Sequence, residues 1–245
     1  MFDVFIKKLE SIISIPPTIE NETIIRQLTH RLINELRIFD EYGQNNEIES
    51  IIRQCCCHIE RLNRNIITEQ NTNRFCFAGT DIGYALGNCV IACDTLLAKS
   101  SNVLTFQSHG KIECVCCCKL LIKAVTLIIE IFLNGCQNSF IEFKCRKTDR
   151  ATILLAESDN NNQAVFNTDQ AMENIRLLTK IANLHKGACI SSSNSLGAYI
   201  AISISNDLKS ENRPFKPPNY IDLLMDKFSD IYIGLSNIDE IHFRD

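Results

Sequence analysis

His30 is the residue whose setting best suits chemistry. It lies in TIIRQLTHRLINELRIFDEY, Thr23 to Tyr42, where Ile25, Leu28, Leu32, Leu36 and Phe39 recur at spacings of three and four. That spacing predicts an amphipathic helix with those five on one face. At about 100° per residue, His30 points roughly 160° from the centre of the stripe, towards solvent. An imidazole on the open side of a helix offers a nucleophilic or phospho-accepting nitrogen to another protein, whereas the plainer reading is a solvated surface histidine. Arg31 beside it supplies a guanidinium that would attract a phosphoryl group.

A second histidine, His58, follows the triplet Cys55-Cys56-Cys57, and another triplet stands at Cys116-Cys117-Cys118. Cys55 with His58 and Cys114 with Cys117 have the two-residue gap of zinc sites, but neither pair sits on a glycine-bearing turn. Adjacent side chains on a helix diverge, so the triplets pair poorly with one another. The 13 cysteines therefore read as small hydrophobes in a reducing compartment. No cofactor or metal of the chain's own is expected.

These side chains need elements to hold them. Phe2, Phe5, Ile6, Leu9, Ile12 and Ile13 predict an opening helix that ends at Pro16-Pro17, giving a first segment over 1–20. The His30 helix stops at Gly43. After a short polar loop, Ile48, Ile52, Cys55, Ile59, Leu62 and Ile66 alternate steps of four and three, as a bundle seam does. A short loop makes the two helices an antiparallel hairpin over 21–70, with Ile59 and His58 near the height of His30. Two helices cannot close a core, so a dimeric four-helix bundle is expected.

Beyond Gln70 to Arg74 the pattern alternates. Helices are expected from Thr80 or Asp81 to about Lys99, from Cys117 to Leu133 and over Ala171 to Leu184. Strands are expected at Val103–Gln107, Phe140–Cys145, Thr152–Glu157, Cys189–Ser192 and Tyr199–Ser205. The fold class is α+β: the helical hairpin, then a two-layer α/β sandwich over 75–208. The tail, 209–245, breaks the pattern with three prolines. Tyr220 to Phe228 reads as helix, and Ile231 to Leu235 as an edge strand or a partner-binding appendage.

Composition narrows the classes. With 45% hydrophobic residues the chain can build a core. A net charge of −4 and a pI near 5.8, with no basic stripe, argue against nucleic acid. The most apolar run, Cys114 to Gly135, carries Lys119, Lys123 and Glu130, which fits a buried helix better than a membrane span. No membrane association and a cytoplasmic location are expected.

A helical hairpin with an exposed histidine followed by an α/β sandwich is the layout of sensor histidine kinases. Leu28-Thr29-His30-Arg31-Leu32 resembles that family's phospho-acceptor segment. Ile181-Ala182-Asn183-Leu184-His185-Lys186-Gly187 resembles its helix ending in leucine-histidine-glycine-glycine. The ATP-site features are missing together. The two asparagine positions correspond to Leu127 and Ile131, which cannot ligate a hard cation. The glycine-rich segment corresponds to Met172-Glu173-Asn174-Ile175. The loop Glu157 to Asn162 lacks the adenine-site glycine.

In this combination the chain resembles histidine phosphotransferases of the ChpT type, which keep the two-domain shape without ATP. The resemblance implies a phosphotransfer intermediate rather than an ATP-dependent kinase, with His30 the phospho-acceptor. It implies a homodimer whose partners are response-regulator receiver domains and a hybrid histidine kinase, magnesium coming with the receiver. Asn34 and Ile38 along the His30 helix, with Arg61 and Asn65 on the antiparallel helix, are the expected docking contacts. Two alternatives stand beside this: an inert pseudokinase dimer that docks regulators, and His58 as the acceptor.

Overall fold

The computed structural model describes residues 2–16, 18, 20–40, 46–68, 75–98, 100–108, 110–134, 139–159, 166–195, 197–210, 216–226, 229–236 and 238, without the side chains of 2–3, 37–40 and 46–49. Helices α1 (Phe2–Ile13), α2 (Glu22–Asp40) and α3 (Asn46–Thr68) come first. A hydrogen bond from Arg26 Nη2 to Asn63 Oδ1 joins the start of α2 to the end of α3, so the pair is antiparallel. Counting four residues along each helix from that bond brings Ile59 level with His30, as the sequence predicts.

The packing face of α2 differs from expectation. Ile25, Thr29, Leu32, Ile33 and Leu36 are buried, while Leu28 is 37% exposed. Thr29 enters the apolar face because its hydroxyl is satisfied within the helix, donating to the Ile25 carbonyl at 2.7 Å. The other correction concerns what closes the core. α1 packs on both α2 and α3, sinking Phe5, Leu9 and Ile12, and Lys8 pairs with Glu35 of α2. Ile25, Leu32, Ile52, Ile59 and Leu62 are thereby buried inside one chain. The premise that only a second copy could hide them does not hold, since α1 supplies the third wall. Phe39 and Ile48, also placed in that seam, have side chains outside the described set.

The sandwich holds a five-stranded sheet in the order β2-β4-β5-β7-β6. These strands are β2 (Val103–Ser108), β4 (Phe140–Lys147), β5 (Ala151–Ser158), β6 (Cys189–Asn194) and β7 (Gly197–Ser205). β2 and β4 are parallel and the other neighbours antiparallel. A short pair not foreseen from sequence, β1 (Ala78–Asp81) and β3 (Glu113–Cys116), stands apart from the sheet.

Three helices complete the sandwich: α4 (Ile82–Leu96), α5 (Cys118–Leu133) and α6 (Asp169–Leu184). Alternate residues such as Ile141, Phe143, Leu154, Ile200 and Ile202 face the core. α5 is buried on nearly every side because α4, α6 and a tail helix all pack on it. The Asp81 carboxylate caps α4 by accepting from Tyr84 N at 3.2 Å.

The tail folds back as α7 (Tyr220–Met225) and α8 (Asp230–Gly234). The segment expected as an edge strand or appendage is thus a short helix, with Ile231, Tyr232, Ile233 and Leu235 buried against α3 and α5. Four large apolar residues within five positions follow neither strand alternation nor a one-sided helix, and burial on several sides explains them.

At the end of α6, Lys186 adopts a left-handed φ of 52°, and a Cβ on Gly187 would lie 1.8 Å from the Ser203 carbonyl oxygen. Gly187→Ala is therefore expected to cost more than about 3 kcal/mol in a urea titration. Gly79→Ala, where a Cβ meets nothing within 4 Å, is expected to stay within about 0.5 kcal/mol.

Candidate functional site

His30 follows buried Thr29 on α2 and is exposed. With the buried stripe centred near Thr29, His30 lies roughly 100° from its centre, on a flank of the helix rather than opposite the core. Ion pairs stiffen the segment around it. Glu22 holds Arg26 at 3.0 Å, and Glu35 takes Arg31 Nε at 3.4 Å together with Lys8. The Lys8 hydrogen bond is the main pull holding the Glu35 carboxyl below its usual range, with Arg31 adding to it. Arg31 is thus drawn one turn along the helix, towards Glu35.

Asn34 is exposed one turn beyond His30. The side chain of Ile38 lies outside the described residues. Arg61 and Asn65 are exposed on α3. Each is two residues from Asn63, which faces α2, so each points about 200° away around the helix. They are not gathered beside His30. What does lie one turn before His30 is Arg26, which sequence reading passed over. It borders a cleft between hairpin and sandwich, floored by Ile66, Phe75 and Leu120 with Lys119 at the rim. Its only sequence signal is the Glu22/Arg26 spacing.

His58 is 4% exposed, and its Nε2 has no hydrogen-bond partner. Burial pushes its pKa below the ordinary value, and nearby Arg61 lowers it further. A partner's active site cannot reach it, which removes it as an acceptor. Cys55 and His58 on α3, Cys114 on β3 and Cys117 do not assemble with any third ligand. Among the described residues no group of His, Cys, Asp and Glu is arranged to hold a metal.

The crevice between α5 and α6 is filled from the hairpin. Arg64 of α3, 8% exposed, donates to Glu60 at 2.9 Å, Glu130 at 2.8 Å and the Asn174 side-chain carbonyl at 2.7 Å. Asn174 Nδ2 in turn donates to Glu130 at 2.9 Å, and Lys123 pairs with Glu60. Leu127 and Ile131 are buried apolar side chains. The polar residue that α5 aims at α6 is Glu130.

His185, fully buried, pins the end of α6 to the start of α5. Its Nε2 accepts from Cys117 N at 3.1 Å, so Nδ1 carries the proton and donates to the Ile181 carbonyl at 2.8 Å. Burial pushes its pKa down.

No protein-family model matches the chain, and no curated protein matches it by sequence. Solved structures do. The histidine kinase AdeS of Acinetobacter baumannii aligns with a TM-score of 0.52 at 12% identity, over 74% of this chain and 96% of that one. A histidine kinase from Burkholderia phymatum gives 0.49 at 12% identity, over 76% and 92%. The histidine kinase ThkA, solved in complex with the response regulator TrrA, gives 0.48 at 10% identity, over 79% and 65%. The likeness to AdeS establishes a histidine-kinase-like fold. Among the described residues no helix is long and apolar enough to cross a membrane.

Two outcomes follow from the buried charges. Arg64→Ala removes the cation that Glu60 and Glu130 share, with Lys123 still beside Glu60, and a loss of about 3 kcal/mol is expected in chemical denaturation. Because His58 and His185 are buried with lowered pKa values, the unfolded chain binds more protons below pH ~6.5. The stability they contribute is complete above that pH and falls as pH drops below it. His58→Leu, which breaks no bond at Nε2, is expected to flatten the decline between pH 7.5 and 5.5.

Proposed function

We propose that this protein is a histidine phosphotransferase of the ChpT type, passing phosphoryl groups between receiver domains through His30 without using ATP. The observation that carries the reading is a pairing. A kinase-like fold presents an exposed imidazole on its hairpin, while the α5–α6 crevice is occupied by Arg64, Glu130 and Asn174. The cations there, Arg64 and Lys123, are already engaged by Glu60 and Glu130, which works against holding a polyphosphate.

In this reading His30 Nε2 attacks the phosphorus of an aspartyl phosphate on a receiver charged by a hybrid histidine kinase. The N–P bond forms as the P–O bond breaks, and the carboxylate leaves with the electron pair. A second receiver's aspartate reverses the step. Magnesium and most of the charge stabilisation belong to the receiver, and this chain supplies the nucleophile and its positioning. Arg31 needs only to turn from Glu35 to meet the phosphoryl group. Asn34 and Ile38 are the docking contacts along α2. Arg61 and Asn65 face the other side and serve as controls.

The reading includes cytoplasmic partners and a homodimer. With the inward stripes covered by α1, we place the second copy at the α1–α2 cleft, where Leu28 is open beside Lys8, Arg31 and Glu35. A second reading, an inert scaffold that docks regulators, is favoured by the engagement of Arg31 with Glu35.

The two separate in a transfer assay with a phosphorylated receiver and an unphosphorylated one. His30→Ala is expected to abolish relay without loss of fold, Asn34→Ala to slow it about tenfold, and Arg61→Ala to leave it within about twofold. Receiver binding with no transfer by the wild type would establish the scaffold instead.

A further inference from the structure

Cys114 and Cys116 share one face of β3, with Thr80 and Ala78 as their register partners on β1. The two thiols are near enough to act on each other's acidity, with Thr152 beside Cys114 and Thr80 beside Cys116. Cys116 is sealed in the core, but Cys114 borders an open cleft walled by Thr80, Asp81, Glu113, Lys147 and Asn206. The Lys147 ammonium is anchored beside it by donating to the Glu113 carbonyl at 2.5 Å. A thiol with a neighbouring thiol, a hydroxyl, a fixed cation and a solvent path differs from the packed cysteines of α4 and α5.

We infer that Cys114 is an oxidant-reactive thiol that takes a hydroperoxide at this cleft, with Cys116 as its resolving partner. The Cys114 thiolate attacks the terminal peroxide oxygen and the O–O bond breaks. The alkoxide leaves and takes a proton from solvent as alcohol, or as water from hydrogen peroxide. Cys114, oxidised by two electrons, is then a sulfenic acid. Cys116 sulfur attacks it, the S–S bond forms, the S–O bond breaks, and hydroxide departs as water with the Cys116 proton. Cys114 borders the cleft beside Lys147 whereas Cys116 is sealed in the core, which sets the order of attacker and resolver.

Residues two apart on a strand have Cα atoms about 6.6 Å apart, near the upper limit of about 6.8 Å for a disulfide. The bond would strain β3 against β1 and be readily reduced, so the mark is reversible.

The test is brief hydrogen peroxide treatment of the reduced full-length protein, followed by intact-mass measurement and peptide mapping with dimedone trapping. The wild type should lose two hydrogens, recoverable with dithiothreitol, through a Cys114–Cys116 link. Cys116→Ser should accumulate a dimedone adduct at Cys114 at least tenfold faster than at exposed Cys76. Cys114→Ser should abolish both products. Lys147→Gln, a change at the surface, should slow the reaction severalfold while leaving the melting temperature unchanged. Oxidation of Cys114 no faster than Cys76, or a dimedone adduct formed mainly elsewhere, would overturn the assignment.

Discussion

Arg64 carries a full positive charge into a place that water barely reaches, and the arrangement of the chain depends on how that charge is met. Its three partners come from three helices: Glu60 one turn back on α3, Glu130 on α5 and Asn174 on α6. Desolvating such a group is costly, and replacing the whole network by hydrocarbon could leave stability unchanged. What the network supplies is uniqueness. Few orientations of hairpin and sandwich satisfy all its members, and Lys123 adds a second bridge from α5 to Glu60.

The tail reinforces the same arrangement from the other side of α3. Arg53 Nη1 donates to the Ile238 carbonyl at 2.8 Å, and the Cys57 thiol lies 3.6 Å from the Ser236 carbonyl oxygen. Gly234 is required because a Cβ would sit 2.4 Å from Thr126 Oγ1. Ion network and apolar strap together tie the hairpin to the crevice between α5 and α6. If the phosphoryl group arrives on a partner, as we propose, the sandwich need not move towards His30, and these contacts oppose such movement.

Much of this was legible in the sequence because it is periodic. The hairpin register, the all-round apolar α5, the strand alternation and the turn after α6 all leave patterns of spacing. The failures share a different cause: pairing across the chain. Thr29 lies outside the predicted stripe, yet its hydroxyl is satisfied within its own helix and it faces the core. Lys123 and Glu130 were noticed as charges in an apolar helix, but nothing local points to Glu60, Arg64 and Asn174. That α1 covers the hairpin's inward stripes is likewise a contact across the chain that no local spacing announces. The side of α3 that Arg61 and Asn65 occupy, relative to Asn63 and Arg26, is also not written in any local spacing.

We propose that His30 receives its phosphoryl group from a protein and not from a nucleotide. Phosphopeptide mapping under acid-free conditions, after separate incubations with magnesium-ATP and with a phosphorylated receiver domain, tests it directly. Phosphohistidine is expected at His30 from the receiver and none from ATP. Label at His30 from ATP alone, or receiver-derived label at any other histidine, would contradict it.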